Sequence, residues 1–112
     1  MQIGIWRDYS MGYADTIGYR AGTSQPFYWY DLQKEATTPL QVFPFVMMDV
    51  TLKDYLKLSP EKALITATSI INHTKLLEGT FSFLWHNSSF SHLGGWEGWQ
   101  EVYLSIVKQA QD

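Results

Sequence analysis

The sequence predicts an α/β domain, and three observations carry that expectation. A helical stripe over 59–77 lies between two apolar, strand-like runs, Val42–Met48 and Thr80–Trp85. A second helical face, Val102, Tyr103, Ile106 and Val107, closes the chain. With 112 residues, 46% of them hydrophobic and 16% aromatic, the chain has room for one core and needs no disulfide or structural metal to keep it folded.

Taken in order, Ile3–Trp6 is β-branched and aromatic and reads as a short strand, with Arg7-Asp8-Tyr9-Ser10 as the turn after it. Gly12-Tyr13-Ala14-Asp15 and Gly18-Tyr19-Arg20-Ala21 echo each other at a spacing far below that of a structural repeat. Ile17–Ala21 reads as a second strand, ended by Gly22-Thr23-Ser24. Gln25-Pro26 then forces an extended entry into the aromatic run Phe27-Tyr28-Trp29-Tyr30. The polar stretch Asp31–Pro39 reads as a surface loop or a single helical turn.

Val42–Met48 is almost wholly apolar, the pattern of a strand covered on both faces, and Pro44 places it at an edge or delays its start. The helix that follows begins with Ser59 as cap, Pro60 in the first turn and Glu61 at the positive end of the dipole. Leu64, Ala67, Ile71 and Thr74 form its stripe, Ile70 and Leu77 widen it, and Gly79 ends it. Thr80–Asn87 reads as a strand running into a polar tip, Gly94-Gly95 breaks the loop, and Trp99–Gln111 is the last helix. These pieces make a βαβα unit whose crossover should be right-handed.

Composition removes several functions. Without cysteine there is no disulfide framework, thiolate zinc site or Cys nucleophile. Eight Lys+Arg against eleven Asp+Glu, spread along the chain, give no electrostatic footprint for a phosphate backbone, so nucleic acid is not an expected partner. No apolar run approaches the ~20 residues that span a bilayer, so a membrane is not expected either. The first residues lack the basic-then-apolar layout of a signal peptide, which leaves the compartment open with the cytoplasm as the default expectation.

In parallel α/β folds, side chains that carry chemistry sit at the carboxyl ends of strands, where Asp49 and His86 both fall. A carboxylate beside an imidazole stabilises its protonated form, which suits a general acid. Arg20, at the end of a third apolar run, could hold a carboxylate through paired hydrogen bonds. Each has a plainer alternative: Asp49 begins a turn or caps the segment Thr51–Leu58, Arg20 makes a surface ion pair, and His86 bonds to Asn87 or the nearby serines. His73 has no ligand four residues away, and His86 and His92 are six apart, so no complete metal site is expected within the chain. Trp29, Trp85, Trp96 and Trp99 could be platforms for sugar rings or could serve packing.

Tyr19-Arg20-Ala21-Gly22-Thr23, Met48-Asp49-Val50-Thr51-Leu52 and Leu84-Trp85-His86-Asn87 resemble, in order and rough spacing, the last three motifs of the polysaccharide deacetylases, the NodB-homology or carbohydrate esterase family 4 domain. Asp8-Tyr9-Ser10-Met11-Gly12-Tyr13-Ala14, Pro26-Phe27, Tyr30-Asp31-Leu32 and Pro44-Phe45 extend the similarity, over nearly the whole chain, to a bacterial branch described as polysaccharide deacetylase-like. The resemblance implies a distorted (β/α) barrel that binds zinc or another divalent metal through one Asp and two His, uses a second Asp as base, and hydrolyses N-acetyl groups on glycans. It further implies that His86 is the general acid, that Asp49 orients it, that Arg20 orients the catalytic Asp, and that Leu84 and Trp85 line the acetyl pocket.

The departures are as specific. The Asp pair and spaced His pair that supply base and metal ligands belong upstream and are absent, Gly22 stands where many members have Pro, and Leu52 or a neighbour replaces the usual Trp. The resemblance therefore implies the C-terminal half of the catalytic domain, an open half-barrel, with no metal expected in this chain alone and no activity by itself. Its exposed edges call for a second copy or for the missing N-terminal half, the alternative being that the chain folds as a small open α/β domain, and an N-acetylated glycan is the expected ligand. Two other functions stand beside it. One is a non-catalytic glycan-binding or assembly module using Tyr28, Trp29, Trp85 and Trp96, and the other is a structural fragment with every aromatic buried.

Overall fold

The computed structural model describes residues 4–91 and 93–112; Ile3, at the head of the first expected strand, and His92 lie outside the described residues. Among the described residues, five strands and two α-helices follow in the order β1 (Arg7–Asp8), β2 (Phe27–Asp31), β3 (Ala36–Val42), β4 (Met47–Met48), α1 (Pro60–Leu76), β5 (Phe83–Leu84) and α2 (Trp99–Gln111). A π-helical turn occupies Thr51–Tyr55 and a 3-10 turn Asn87–Phe90.

The strands form two small sheets. One has the order β1-β3-β2, parallel between β1 and β3 and antiparallel between β2 and β3, and the other is the parallel pair β4-β5. Neither closes into a barrel among the described residues. Because β4 and β5 run in the same direction, the chain must cross back between them, and α1 is that crossover.

The helices follow from local chemistry. Ser59 accepts a hydrogen bond from the Lys62 amide at 3.3 Å, and Pro60 fills the first helical position, where no N–H is needed. Ala63, Ala67, Ile71 and Thr74 form the buried face of α1, and Leu64 and Ile70 pack against the core from its flanks, half-buried. Trp99, Val102 and Ile106 are the buried positions of α2. The Lys75 ammonium donates to the Gln109 carbonyl at 2.6 Å and ties the ends of the two helices together. Val46, Met47 and Leu52 complete this core, which lies between the β4-β5 pair and the helices.

Five segments depart from the periodicity-based reading, the first being the opening strand, which forms at Arg7–Asp8, where a turn was expected, and not over Gly4–Trp6. Asp31–Pro39 is not a loop or a helical turn: its second half is strand β3. Asp31 Oδ1 accepts from the Gln33 and Lys34 amides at 2.9 and 3.2 Å and turns the chain, after which Thr37 and Thr38 supply β-branched residues for the return strand. The polarity is that of a hairpin exposed on both faces. Pro39 has no N–H for the ladder, the register shifts between Tyr28 and Tyr30, and the Thr38 hydroxyl donates to the Trp29 carbonyl at 2.7 Å in place of a backbone amide.

Ile17–Ala21 is not a strand. It contributes one sheet-like bond, Gly18 N–H to the Val46 carbonyl at 2.9 Å, and then turns through a bond from Gly22 N–H to the Tyr19 carbonyl. Gly22 has φ +75°, a region closed to proline, so the turn differs from any that a Pro at this position could make. Val42–Met48 is extended but changes partner midway. Phe43 and Phe45 donate to Asp8 and Met11, whereas Val46 donates to Ser82, and Pro44 between them cannot donate. The expected strand Thr80–Asn87 pairs only at Phe83–Leu84.

Candidate functional site

Two parallel strands place their carboxyl ends at the same edge, and here β4 leads into Asp49 while β5 leads through Trp85 into His86. Asp49 is fully buried. Its Oδ1 accepts from the Val50 amide at 2.8 Å and lies 2.7 Å from His86 Nδ1. Its Oδ2 accepts from the His86 amide at 2.7 Å and from the Ser89 hydroxyl. A carboxylate has about four lone-pair sites, and all four face a partner here.

A carboxylate can only accept, so Nδ1 of His86 must donate to it. Nε2 is then the ring atom left to exchange a proton, on an imidazole whose side chain is 53% exposed while its partner is wholly buried. This is the geometry of a proton donor or acceptor held by a buried orienting group.

Leu84 and Trp85, both expected to contact a ligand, line one open groove of about 410 Å³ together with Phe83, Asn87, Phe90 and Tyr103. The groove therefore borders His86 through the residues on either side of it in the chain. Trp85 packs against Tyr103, Phe83 and Trp99 with ring centroids 5.6, 6.1 and 6.4 Å away. Its buried indole N–H has no hydrogen-bond partner among the described residues.

The other expected site residues are not brought to this place. Arg20 is exposed, and among the described residues no carboxylate lies within ion-pair distance of it. Tyr28 and Trp29 stand on β2, in the other sheet, 55% and 46% exposed. Trp96 is a packing residue, edge-on to Trp99 and capped by the Lys53 ammonium 4.7 Å from its centroid. The segment around Arg20 shapes a second concavity of about 470 Å³ with His73 and Leu77 of the helix end. Two of its polar groups are already engaged: Tyr19 Oη is 2.6 Å from the Thr74 hydroxyl, and Gln25 Nε2 donates to the Glu78 carbonyl. Burial pushes the Tyr19 phenol above its ordinary value. Asp8 is likewise occupied locally, its carboxyl held below the usual range by hydrogen bonds from Ser10.

Among the described residues no three His, Asp or Glu side chains converge, so these residues do not fit a catalytic metal of the kind that the motif resemblance implies. No described helix is long and apolar enough to cross a membrane. Ser89 is the residue of this cluster that sequence reasoning missed. Its signal was the spacing His-x-x-Ser, which lets one 3-10 turn bring the hydroxyl back beneath the histidine. Comparisons with protein-family models, with curated proteins and with solved structures find no match to this chain.

Proposed function

We propose that this chain supplies the proton-transfer part of a metal-assisted carbohydrate deacetylase, with His86 as the general acid that protonates the amine released when an N-acetyl group on a glycan is hydrolysed. The observation that carries this function is the 2.7 Å contact between His86 Nδ1 and a wholly buried Asp49 carboxylate. Asp49 orients the ring, and Nε2 presents the proton at the exposed edge. Leu84 and Trp85 offer an apolar wall for the acyl methyl beside that edge. Arg20, exposed and without a carboxylate partner, is available to one from another segment or another copy.

In such a reaction a divalent metal, held by residues outside those described, would supply the activated water and the charge that stabilises the oxyanion. Its ligands and the base come from outside the described residues, so the chain alone is expected to be inactive, and its partners are the N-acetylated glycan and a second copy or a missing N-terminal half.

The test is a titration of the labelled chain with chitin oligomers and, in parallel, with their deacetylated counterparts, followed by NMR. The N-acetylated series should perturb His86, Leu84 and Trp85 and release no acetate. Indifference of the groove to both series at millimolar ligand would defeat the proposal. Zinc-dependent acetate release by the chain alone, lost in His86→Gln, would overturn its incompleteness. A second function is favoured by one observation, the exposure of Tyr28 and Trp29 on β2: a glycan-binding module without catalysis. It predicts perturbations confined to β2 and abolished by Trp29→Ala.

A further inference from the structure

His86 is followed by the turn Asn87–Phe90, in which Ser89 is the buried residue and its neighbours on either side are exposed. A hydroxyl taken out of water in a turn this short needs a hydrogen-bond partner. The turn itself is closed by main-chain bonds, Ser89 N–H to the His86 carbonyl at 3.0 Å and Ser91 N–H to the Ser88 carbonyl at 3.2 Å, so the side chain is not required to cap it. The Ser89 hydroxyl instead reaches across 40 residues of sequence to Asp49 Oδ2.

That bond changes what Asp49 can do. Oδ2 is filled by two donors, the His86 amide and the Ser89 hydroxyl, which fixes the plane of the carboxylate. Oδ1, held by the Val50 amide, is thereby aimed at the imidazole. We propose that Ser89 is a positioning residue for His86: by anchoring Oδ2 it holds the neutral ring in its Nδ1–H form and keeps Nε2 as the atom that exchanges protons. The role rests on His86 being the proton-transfer group, but its physical content, the tautomer, is measurable without any activity.

With the hydroxyl gone, Oδ2 loses a donor, the carboxylate gains freedom about its Cβ–Cγ bond, and the ring can present either nitrogen. The experiment is a long-range 1H–15N correlation of the imidazole rings in the whole chain, at a pH where the rings are neutral, with the His86 signals identified by their absence in His86→Gln. In the wild type the Nδ1 resonance should sit at the protonated position. In Ser89→Ala it should move toward the unprotonated position as the Nε2–H form appears, while the backbone amide spectrum stays folded. Ser89→Thr, which keeps the hydroxyl, should restore the wild-type tautomer.

Should Ser89→Ala fail to fold, Ser89→Cys preserves the volume with a weak donor and should give an intermediate population. A wild-type ring already in the Nε2–H form, or a tautomer that Ser89→Ala leaves unchanged, overturns the proposal. If the tautomer responds as expected but chitin oligomers leave the groove unperturbed, the positioning role stands and the deacetylase function falls.

Discussion

Tyr19 shows how one side chain couples packing to pH. Burial raises its phenol above the ordinary tyrosine value of about 10, because the folded environment disfavours the charged form. The unfolded chain therefore loses that proton first as pH rises. The associated stability is fully present below about pH 10 and is lost as pH climbs through the raised folded value. Tyr19→Phe should remove this part of the alkaline destabilisation, read as a flatter profile of denaturation midpoint against pH above 9 or so. At neutral pH the same substitution strands the buried Thr74 hydroxyl and should cost about 1 kcal/mol, measured by urea unfolding.

At the scale of elements, the end of α1 depends on a residue that has no room to change. A Cβ placed on Gly79 would come within 2.7 Å of Ser24 Cβ, a position set by backbone. The two segments are also joined by the Thr80 amide bonding to the Ser24 carbonyl at 3.1 Å. Gly79→Ala should therefore destabilise the fold by roughly 1–3 kcal/mol, seen as a lowered urea midpoint with the slope unchanged.

Both helices were legible in the sequence because each announces itself in its own residues: the Ser59-Pro60-Glu61 start, the Ala67, Ile71, Thr74 spacing, and Val102 with Ile106. Asp49 and His86 were legible as strand ends for the same reason. The β2-β3 hairpin was not, because polarity marks exposure and not conformation, and a strand exposed on both faces has no alternation to read. The partner exchange around Pro44 and the return of Ser89 to Asp49 were hidden because both are contacts with segments distant in the chain.

The whole molecule is less compact than its length allows. Its radius of gyration is 15.7 Å, against about 13 Å for a compact domain of roughly this size, and it extends over 48 × 31 × 22 Å. The cause is the three-stranded sheet, none of whose strand residues belongs to the main core cluster. β2 is an edge strand whose Tyr28, Trp29 and Tyr30 are each about half exposed, with no charge between Phe27 and Tyr30 to discourage another strand from adding. Solution mass by light scattering should rise with concentration, and Trp29→Lys should suppress the rise. A mass that stays monomeric up to millimolar protein would show that this edge is protected after all.

The Asp49 carboxylate has a consequence for how the protein tolerates change. The same two oxygens that aim the imidazole also receive the main-chain amides of Val50 and His86, and so bind the end of β4 to the end of β5, each only two residues long. At position 86 the side chain is half out in water and its backbone bond survives any replacement but proline. On the proposed proton-transfer role, random substitution should thus separate function from folding at His86 and merge them at Asp49. A lineage that abandoned the chemistry would be free to vary the histidine long before it could release the aspartate.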